Sequence, residues 1–342
     1  MPLPNMPRGR WSGSEGARMT HRGASGGMAP KGFFRRAATA FLPGVALLPL
    51  TAALPADGAW GQEVPMRAQS GLSQSGPSQS DPDPEPGPAL FSFDGPMIQG
   101  GLVRGAVPAG TVALTLDGAP VAVAPDGRFL IAFDRDQGAT AELAATRGDG
   151  TVLRATLHVS PRAWRIERLD TVPRISQPSE EFQRRRPDEL RRIGAARALR
   201  TDAQGWRQQF QWPVTGRISG LFGSQRIYRG EPGAYHSGVD VARPTGTDIM
   251  APADGVVILA ADSPFTLEGN LLMLDHGMGL NSAFLHLSRI DVRAGDHVRQ
   301  GQVIGAIGAT GRASGPHLHW SMKWGAARID PLLLTGPMPG GQ

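Results

Sequence analysis

Three short motifs in the C-terminal third of the chain carry residues that could bind a metal or transfer protons. They are H-S-G-V-D from His236 to Asp240, A-F-L-H-L-S around His286, and P-H-L-H-W with His317 and His319. Zinc accepts neutral imidazole nitrogens and carboxylate oxygens as ligands, and a catalytic zinc site keeps one position for water. Two histidines and one carboxylate would therefore suffice for a catalytic site. The remaining histidines would be available for proton transfer and charge stabilisation.

The spacing within these motifs indicates which side chains point the same way. On an extended strand successive side chains alternate between faces, so His317 and His319 share one face. His236 and Asp240, four residues apart, can also share a face. H-x-x-x-D alone is a weak signal and H-x-H a moderate one, but their occurrence together in one region favours a metal site over coincidence.

The other two histidines of this region are given no role. A lone histidine in a β domain is most often a hydrogen-bonded or exposed side chain. His276 in LDHG and His297 in GDHV are accordingly predicted to be turn or surface positions.

The elements around the motifs are predicted to be strands. Between 212 and 334, short apolar runs such as APADGVVILA, NLLMLDHG and GQVIGAIG are separated by glycines, and no amphipathic helix of useful length interrupts them. This pattern predicts an all-β domain that holds all three motifs.

The motif set resembles the lysostaphin/LytM-type zinc metallopeptidases that cleave peptidoglycan, over about residues 212–332. Phrases such as GLFGSQR and GNLLMLDHGMGLNSAFLHL share this resemblance. The resemblance implies a compact β fold with a groove across a central sheet. It implies one zinc ion held by His236, Asp240 and His319, with His286 and His317 as the catalytic pair. Metal-activated water would attack a peptide carbonyl, and either catalytic histidine would accept the proton.

One position departs from the family pattern. The family often has a tyrosine two residues before the first catalytic histidine, and Phe284 stands there, without a hydroxyl group. Tyr228 and Tyr235 are the candidates to supply a phenol near the groove.

Composition excludes several classes of protein. The 342 residues are 40% hydrophobic, 19% charged and 6% aromatic, which suits two modest domains and disfavours a coiled coil or a nucleic-acid stacking surface. The absence of cysteine excludes a disulfide scaffold, a thiolate metal site, a cysteine nucleophile and a lipoprotein anchor. Residues 1–61 hold seven basic and two acidic groups, and the remaining 28 of each sign cancel. The chain after residue 61 therefore has no excess of positive charge that would attract nucleic acid.

The N-terminal part predicts export. Basic residues up to Arg36 precede an apolar run from Ala37 to Ala53, the pattern of a secretory signal peptide within residues 1–61. The expected location is the periplasm or the cell wall, with membrane attachment only if the leader is not cleaved. Residues 62–88, rich in Ser, Pro, Gly and Gln, are predicted to be a disordered linker.

Between the linker and the motif region, two segments are predicted. Residues 89–160 alternate short apolar runs with Asp-Gly turns, which predicts a small all-β domain resembling a sandwich. Residues 161–204 are predicted to be a helical joint, with one helix starting near Ser179 and Pro187 opening a second. Residues 205–336 complete a mainly β chain as the metallopeptidase domain.

The expected function is that of an exported zinc metalloendopeptidase cutting peptidoglycan cross-links, with D-alanyl–diaminopimelate bridges favoured over glycine-rich ones. An alternative is a non-catalytic LytM-type wall-binding protein that activates an amidase. A lipoyl- or biotinyl-type carrier leaves the histidines unexplained. Peptidoglycan peptides and a cell-wall regulatory protein are the expected partners. The β domain and the joint are predicted to cover the groove, so residues 205–342 should be more active than 62–342.

Overall fold

The computed structural model describes residues 90–171 and 179–339. The predicted leader at 1–61 and the predicted linker at 62–88 lie outside these residues, as does part of the predicted joint at 172–178. The described chain is mainly β, as its sequence predicts. Neither α-helix within 90–171 and 179–339 combines the length and apolarity needed to cross a membrane.

The small N-terminal domain contains seven strands in two antiparallel sheets. The strands are β1 (Ser92–Asp94), β2 (Leu102–Ala106), β3 (Thr111–Leu116), β4 (Ala119–Val121), β5 (Arg128–Ala132), β6 (Thr140–Arg147) and β7 (Val152–His158). The sheets have the orders β1-β2-β5 and β4-β3-β6-β7. Between them lies a core in which Phe129, Phe133 and Leu143 are fully buried. This is the predicted small sandwich.

The Asp-Gly pairs occupy the predicted turns. Asp117 and Gly118 join β3 to β4 with φ of 49° and 78°, the left-handed values that a tight hairpin turn requires. Gly150, with φ of 85°, lies in the turn between β6 and β7. Local turn chemistry therefore explains the order of these strands.

The joint differs from its prediction in two ways. Its first part, ahead of the predicted helix start near Ser179, forms a strand, β8 (Ile166–Leu169), which pairs in parallel with residues 225–228. The prediction of two helices is wrong, because α1 (Glu180–Ala198) runs unbroken through Pro187. Ser179 caps it by accepting a hydrogen bond from the Phe182 N–H at 3.2 Å. Tertiary contacts of α1, described below, offset the hydrogen bond that a proline inside a helix removes.

The C-terminal domain is built on one large sheet. A short 3-10 helix (Gly205–Arg207) precedes β9 (Arg217–Gly220), β10 (Gln225–Tyr228), β11 (Glu231–Pro232), β12 (Val239–Ala242), β13 (Asp248–Met250), β14 (Gly255–Ala260), β15 (Asn270–Asp275), β16 (Leu280–Leu287), β17 (Arg289–Ile290), β18 (His297–Val298), β19 (Val303–Ala306), β20 (Leu318–Trp324), β21 (Ala327–Ile329) and α2 (Leu332–Thr335). The large sheet has the order β18-β14-β15-β16-β20-β12-β9, and β21 pairs with β20. Two three-stranded sheets, β13-β19-β17 and β11-β10-β8, flank it.

The two faces of this large sheet have different neighbours. Val239 and Val241 on β12 and Trp320 on β20 enter the main apolar core, and none of them is more than 1% exposed. Alternation therefore turns Asp240 and His319 to the opposite face. This opposite face is called the groove face below.

The small domain packs directly on the C-terminal domain. Leu102 and Leu130 from the sandwich belong to the same buried cluster as the core residues of the large sheet. Arg104 donates hydrogen bonds to the backbone carbonyls of Trp206 at 2.9 Å and Gln208 at 2.8 Å. A shared core and these hydrogen bonds hold the two domains against each other.

Candidate active site

Three predicted ligand atoms meet on the groove face. Oδ1 of Asp240 lies 3.0 Å from Nε2 of His236 and 2.8 Å from Nδ1 of His319. The two imidazole nitrogens are 3.0 Å from each other. All three side chains are part-buried, and those of His236 and Asp240 line a groove that is open to solvent.

Strand pairing and a short loop place these ligands. Asp240 on β12 and His319 on β20 are direct cross-strand partners. His236 lies in the loop before β12, where its N–H donates to the Ser224 carbonyl and its own carbonyl accepts from the Gly223 N–H, both at 2.8 Å. Backbone hydrogen bonds therefore fix the position of the His236 loop, and strand pairing fixes the positions of Asp240 and His319.

The donor chemistry fits a zinc ion. Nδ1 of His236 lies 3.1 Å from the Leu221 carbonyl, which can only accept, so the neutral ring carries its lone pair on Nε2. Burial favours the neutral imidazole by lowering the pKa of His319. Burial opposes ionisation of Asp240, but when Nε2 of His236 and Nδ1 of His319 carry protons, their hydrogen bonds hold the pKa of Asp240 well below the usual range. In the zinc-binding form these two nitrogens would bear lone pairs instead, and the metal would take the place of the protons. Tetrahedral zinc with bonds of about 2.0 Å requires ligand atoms roughly 3.3 Å apart, close to the observed separations.

Two glycines allow the backbone to approach the ligands closely. A Cβ on Gly238 would stand 2.3 Å from the Trp320 carbonyl oxygen and 3.0 Å from Nε2 of His319. A Cβ on Gly220 would stand 2.3 Å from Oδ2 of Asp240. The glycine within the H-S-G-V-D motif is thus required by the packing of β12 against β20.

The predicted catalytic pair lies beside the ligands. The rings of His286 and His317 have centroids 4.9 Å apart, and His286 is 6.3 Å from the ring of His319. Nδ1 of His286 donates to the Thr310 carbonyl and Nδ1 of His317 to the Gly315 carbonyl, each at 2.8 Å. Each neutral ring therefore keeps the lone pair of Nε2 for accepting a proton. Burial lowers the pKa of His286 below its ordinary value, which favours this basic form.

A β-bulge turns His286 toward the groove face. Leu272 on β15 pairs with Phe284, whereas Asn270 pairs with Leu287, so β16 has one residue more than β15 over this stretch. His286 has a φ of 66°, an uncommon value for a residue other than glycine. Strict alternation would have placed it on the core side with Phe284, which is fully buried there. Phe284 consequently does not face the groove.

Helix α1 supports His286 from behind through residues that the motif analysis missed. Arg186 donates two hydrogen bonds to the Glu268 carboxylate at 2.6 and 2.8 Å, and Glu268 accepts the His286 backbone N–H at 2.8 Å through its carbonyl. Glu189 accepts from the Thr266 N–H and hydroxyl at 2.7 and 2.6 Å. No local pattern in the sequence marks Arg186 or Glu189 as important, because their partners Glu268 and Thr266 lie about 80 residues further along the chain.

Two of the candidate ligands, His236 and Asp240, line a groove of about 2080 Å³. Its walls are the first turn of α1, the segment 218–235 and the loop 311–314. Tyr228 and Tyr235 both line it, and the Tyr235 hydroxyl donates to Asp134 at 3.2 Å.

The prediction of a turn or surface position for His276 is right about the turn, which joins β15 to β16, and wrong about the surface. It is fully buried, donates from Nδ1 to the Asp254 carbonyl at 2.8 Å and accepts from the Ser282 hydroxyl at 2.7 Å. Burial lowers its pKa to about 4. The ring of Phe210, whose centroid is 5.0 Å from that of His276, helps to cover this turn residue. His297 is exposed, as predicted.

Comparison with known proteins places this site in a family. Residues 234–331 match the model of peptidase family M23. These residues form an M23 peptidase domain. The M23 domain holds all five predicted site residues, and its segment coincides with most of the stretch on which the resemblance to LytM-type peptidases rests.

Two relatives that match the M23 region are named as endopeptidases. Peptidoglycan DD-endopeptidase ShyA of Vibrio cholerae is 40% identical over 123 residues, covering 36% of this chain and 28% of that protein. DD-carboxypeptidase/endopeptidase Mpg of Neisseria meningitidis is 37% identical over 127 residues, covering 36% and 28%. The chain therefore spans less than a third of the length of these relatives.

A solved structure extends the similarity beyond the M23 domain. A Pseudomonas aeruginosa crystal structure described as a peptidase M23 aligns with a TM-score of 0.54 and 29% identity, covering 70% of this chain and 95% of that one. The aligned part of this chain is much longer than the M23 domain. Elements outside that domain are therefore arranged in the same way in the two structures.

Proposed function

We propose that this protein is an exported zinc metalloendopeptidase that hydrolyses peptide cross-links of peptidoglycan. The observation that carries the proposal is the convergence of His236, Asp240 and His319 within 3.0 Å, beside the rings of His286 and His317. His236 and Asp240 line an open groove. The names of the relatives suggest the substrate class. D-alanyl–diaminopimelate bridges are the favoured bond.

The residues divide the chemistry between holding the metal and moving protons. His236, Asp240 and His319 would hold zinc, which when bound polarises a carbonyl and lowers the pKa of water to about 7. His286 and His317 each present a neutral Nε2 that can accept a proton from the attacking water. Once protonated, the same nitrogen donates to the developing oxyanion or to the leaving amine.

Export is proposed from the sequence of residues 1–61. A basic stretch followed by the apolar run Ala37–Ala53 is typical of a signal peptide, and a periplasmic site would give access to the substrate. The mass of the mature protein recovered from a periplasmic extract would show whether and where the leader is removed.

The decisive experiment incubates the chain with purified cross-linked muropeptide dimers and follows them by mass spectrometry. We expect monomers from the wild type, and the product masses would identify the bond. His319→Ala should lose both cleavage and zinc, measured by elemental analysis, whereas His317→Ala should lose cleavage and keep zinc.

A chain that binds zinc but leaves dimers intact would contradict the endopeptidase proposal. Adding a purified amidase then tests the alternative, since an activator would raise amidase turnover. An activator need not bind zinc, so His319→Ala should still activate.

A further inference from the structure

The groove face continues along β20 past the metal ligand His319. Alternate residues of a strand face the same side, so Ser321 and Lys323 follow His319 on this face. Four residues of extended strand span about 13 Å. Lys323 therefore lies on the same sheet surface as the ligands, at the distance of a short extended peptide.

Three cationic side chains gather at this end of the face. Lys323 is the cross-strand partner of Arg328 on β21, and Arg197 reaches them from the last turn of α1. None of the three forms an ion pair within 4.0 Å across residues 90–171 and 179–339. The Nε atom of Arg197 is buried without a hydrogen-bond partner in that part of the chain. Arg197, Lys323 and Arg328 are called the cationic cluster.

The carboxylates nearest to the cluster have other partners. Glu268 accepts both of the hydrogen bonds donated by Arg186. Asp134 accepts from the backbone N–H of Arg328 at 2.8 Å and from the Tyr235 hydroxyl at 3.2 Å.

Arg197 and Lys323 are part-buried and Arg328 is exposed, and three like charges gathered without an ion pair are electrostatically unfavourable. Burial lowers the pKa of Lys323, and the charges of the two arginines lower it further. Burial and the charge of Arg328 likewise lower the pKa of Arg197. Charges held together away from water normally have a counter-charge, and an anion bound here would supply it.

We propose that the cationic cluster is a subsite that binds a carboxylate of the substrate peptide. The inference rests on the proposed function, because peptidoglycan stem peptides carry free carboxylates on their glutamyl and diaminopimelyl residues. A peptide lying extended along β20 with its scissile bond at His319 would place such a group near Lys323. The cluster would then select acidic over amidated stem peptides.

The test measures binding without cleavage. The tripeptide L-Ala-γ-D-Glu-meso-diaminopimelate, which lacks the D-alanyl bond, and its fully amidated counterpart are titrated into the full chain by calorimetry. Loss of a hydrogen bond to a charged group typically weakens binding about 10-fold or more, so the amide should bind at least that much more weakly. Lys323→Met should weaken binding of the acid by a similar factor and leave binding of the amide unchanged.

Matched variants separate the subsite from a folding defect. Arg328→Gln alters an exposed side chain and should weaken acid binding without moving the thermal midpoint. Lys323→Arg keeps the charge and should retain binding, and Arg299→Met, an exposed cation outside the cluster, should behave as wild type. Equal affinity for acid and amide, or unchanged acid binding in both Lys323→Met and Arg328→Gln, would overturn the proposal.

Two further outcomes keep the alternatives apart. Inorganic phosphate is titrated as a separate probe, and phosphate binding as tightly as the tripeptide would overturn the assignment to a substrate carboxylate. Cluster-dependent binding of the acid without cleavage of muropeptide dimers would contradict the proposed function alone. Cleavage without discrimination between acid and amide would contradict the subsite alone.

Discussion

Arg186 on α1 and Glu268 in the loop before β15 form a part-buried ion pair with two hydrogen bonds, at 2.6 and 2.8 Å. The carbonyl of Glu268 accepts the backbone N–H of His286 at 2.8 Å. A helix outside the M23 domain is therefore connected by two residues to a candidate catalytic histidine.

Breaking this pair should destabilise the protein. Arg186→Met leaves the Glu268 carboxylate buried and without its partner, which we expect to lower the free energy of unfolding by about 3 kcal/mol. Urea unfolding measures the loss, and the double variant Arg186→Met with Glu268→Leu should recover much of it. Arg191→Met, which removes an exposed pair with Asp188, should change stability by less than about 0.5 kcal/mol. Equal losses in the two single variants would contradict a special role for Arg186.

Removing the small β domain together with the joint should lower activity, contrary to what the sequence predicts. Ala196 of α1 packs in a buried cluster with Phe265 and Leu271, and Glu268 would lose Arg186. The first turn of α1 forms a wall of the groove, into which His236 and Asp240 open. We expect residues 205–342 to cleave muropeptide dimers more slowly and to unfold at a lower temperature than residues 62–342. Higher activity of the shorter chain would instead support the covering hypothesis.

A methyl group at Gly238 should disturb metal binding. The added Cβ would meet the Trp320 carbonyl at 2.3 Å, and β12 must then move relative to β20. We expect Gly238→Ala to weaken zinc binding at least about 10-fold, by analogy with other changes behind metal ligands. Competition with a fluorescent chelator measures it.

The matched glycine for this experiment is Gly194. It lies inside α1 with open space around its Cα, so Gly194→Ala should stabilise the chain by about 0.5–1 kcal/mol and leave zinc binding unchanged. If Gly238→Ala bound zinc as Gly194→Ala does, the close approach at Gly238 would be irrelevant to the site.

His276 should make stability depend on pH. Its pKa is about 4 in the folded chain against an ordinary 6.5, so the unfolded chain binds more protons between these values. The free energy of unfolding should therefore fall by about 3 kcal/mol from this residue alone as pH drops from above 6.5 to 4. Urea unfolding of wild type and His276→Gln should show a stability difference that shrinks on acidification. A difference independent of pH would indicate that His276 does not titrate on unfolding.

The features that the sequence by itself determined are those that depend on interactions between residues close together in the chain. Alternation along a strand indicated the shared face of His317 and His319, and the Asp117-Gly118 pair indicated a hairpin turn. Both follow from steric preferences within a few residues, so no distant partner is needed. The motif set likewise identified the ligand and histidine positions that the fold brings together.

Only the tertiary structure decided which of these side chains meet and what supports them. Strict alternation would have put His286 with Phe284 in the core, and the bulge that turns it outward arises from the pairing of β16 with β15. The continuation of α1 through Pro187, the burial of His276 and the gathering of Lys323 with two arginines likewise depend on elements distant in the chain. Register and burial are properties of packed partners, and a single segment does not encode them.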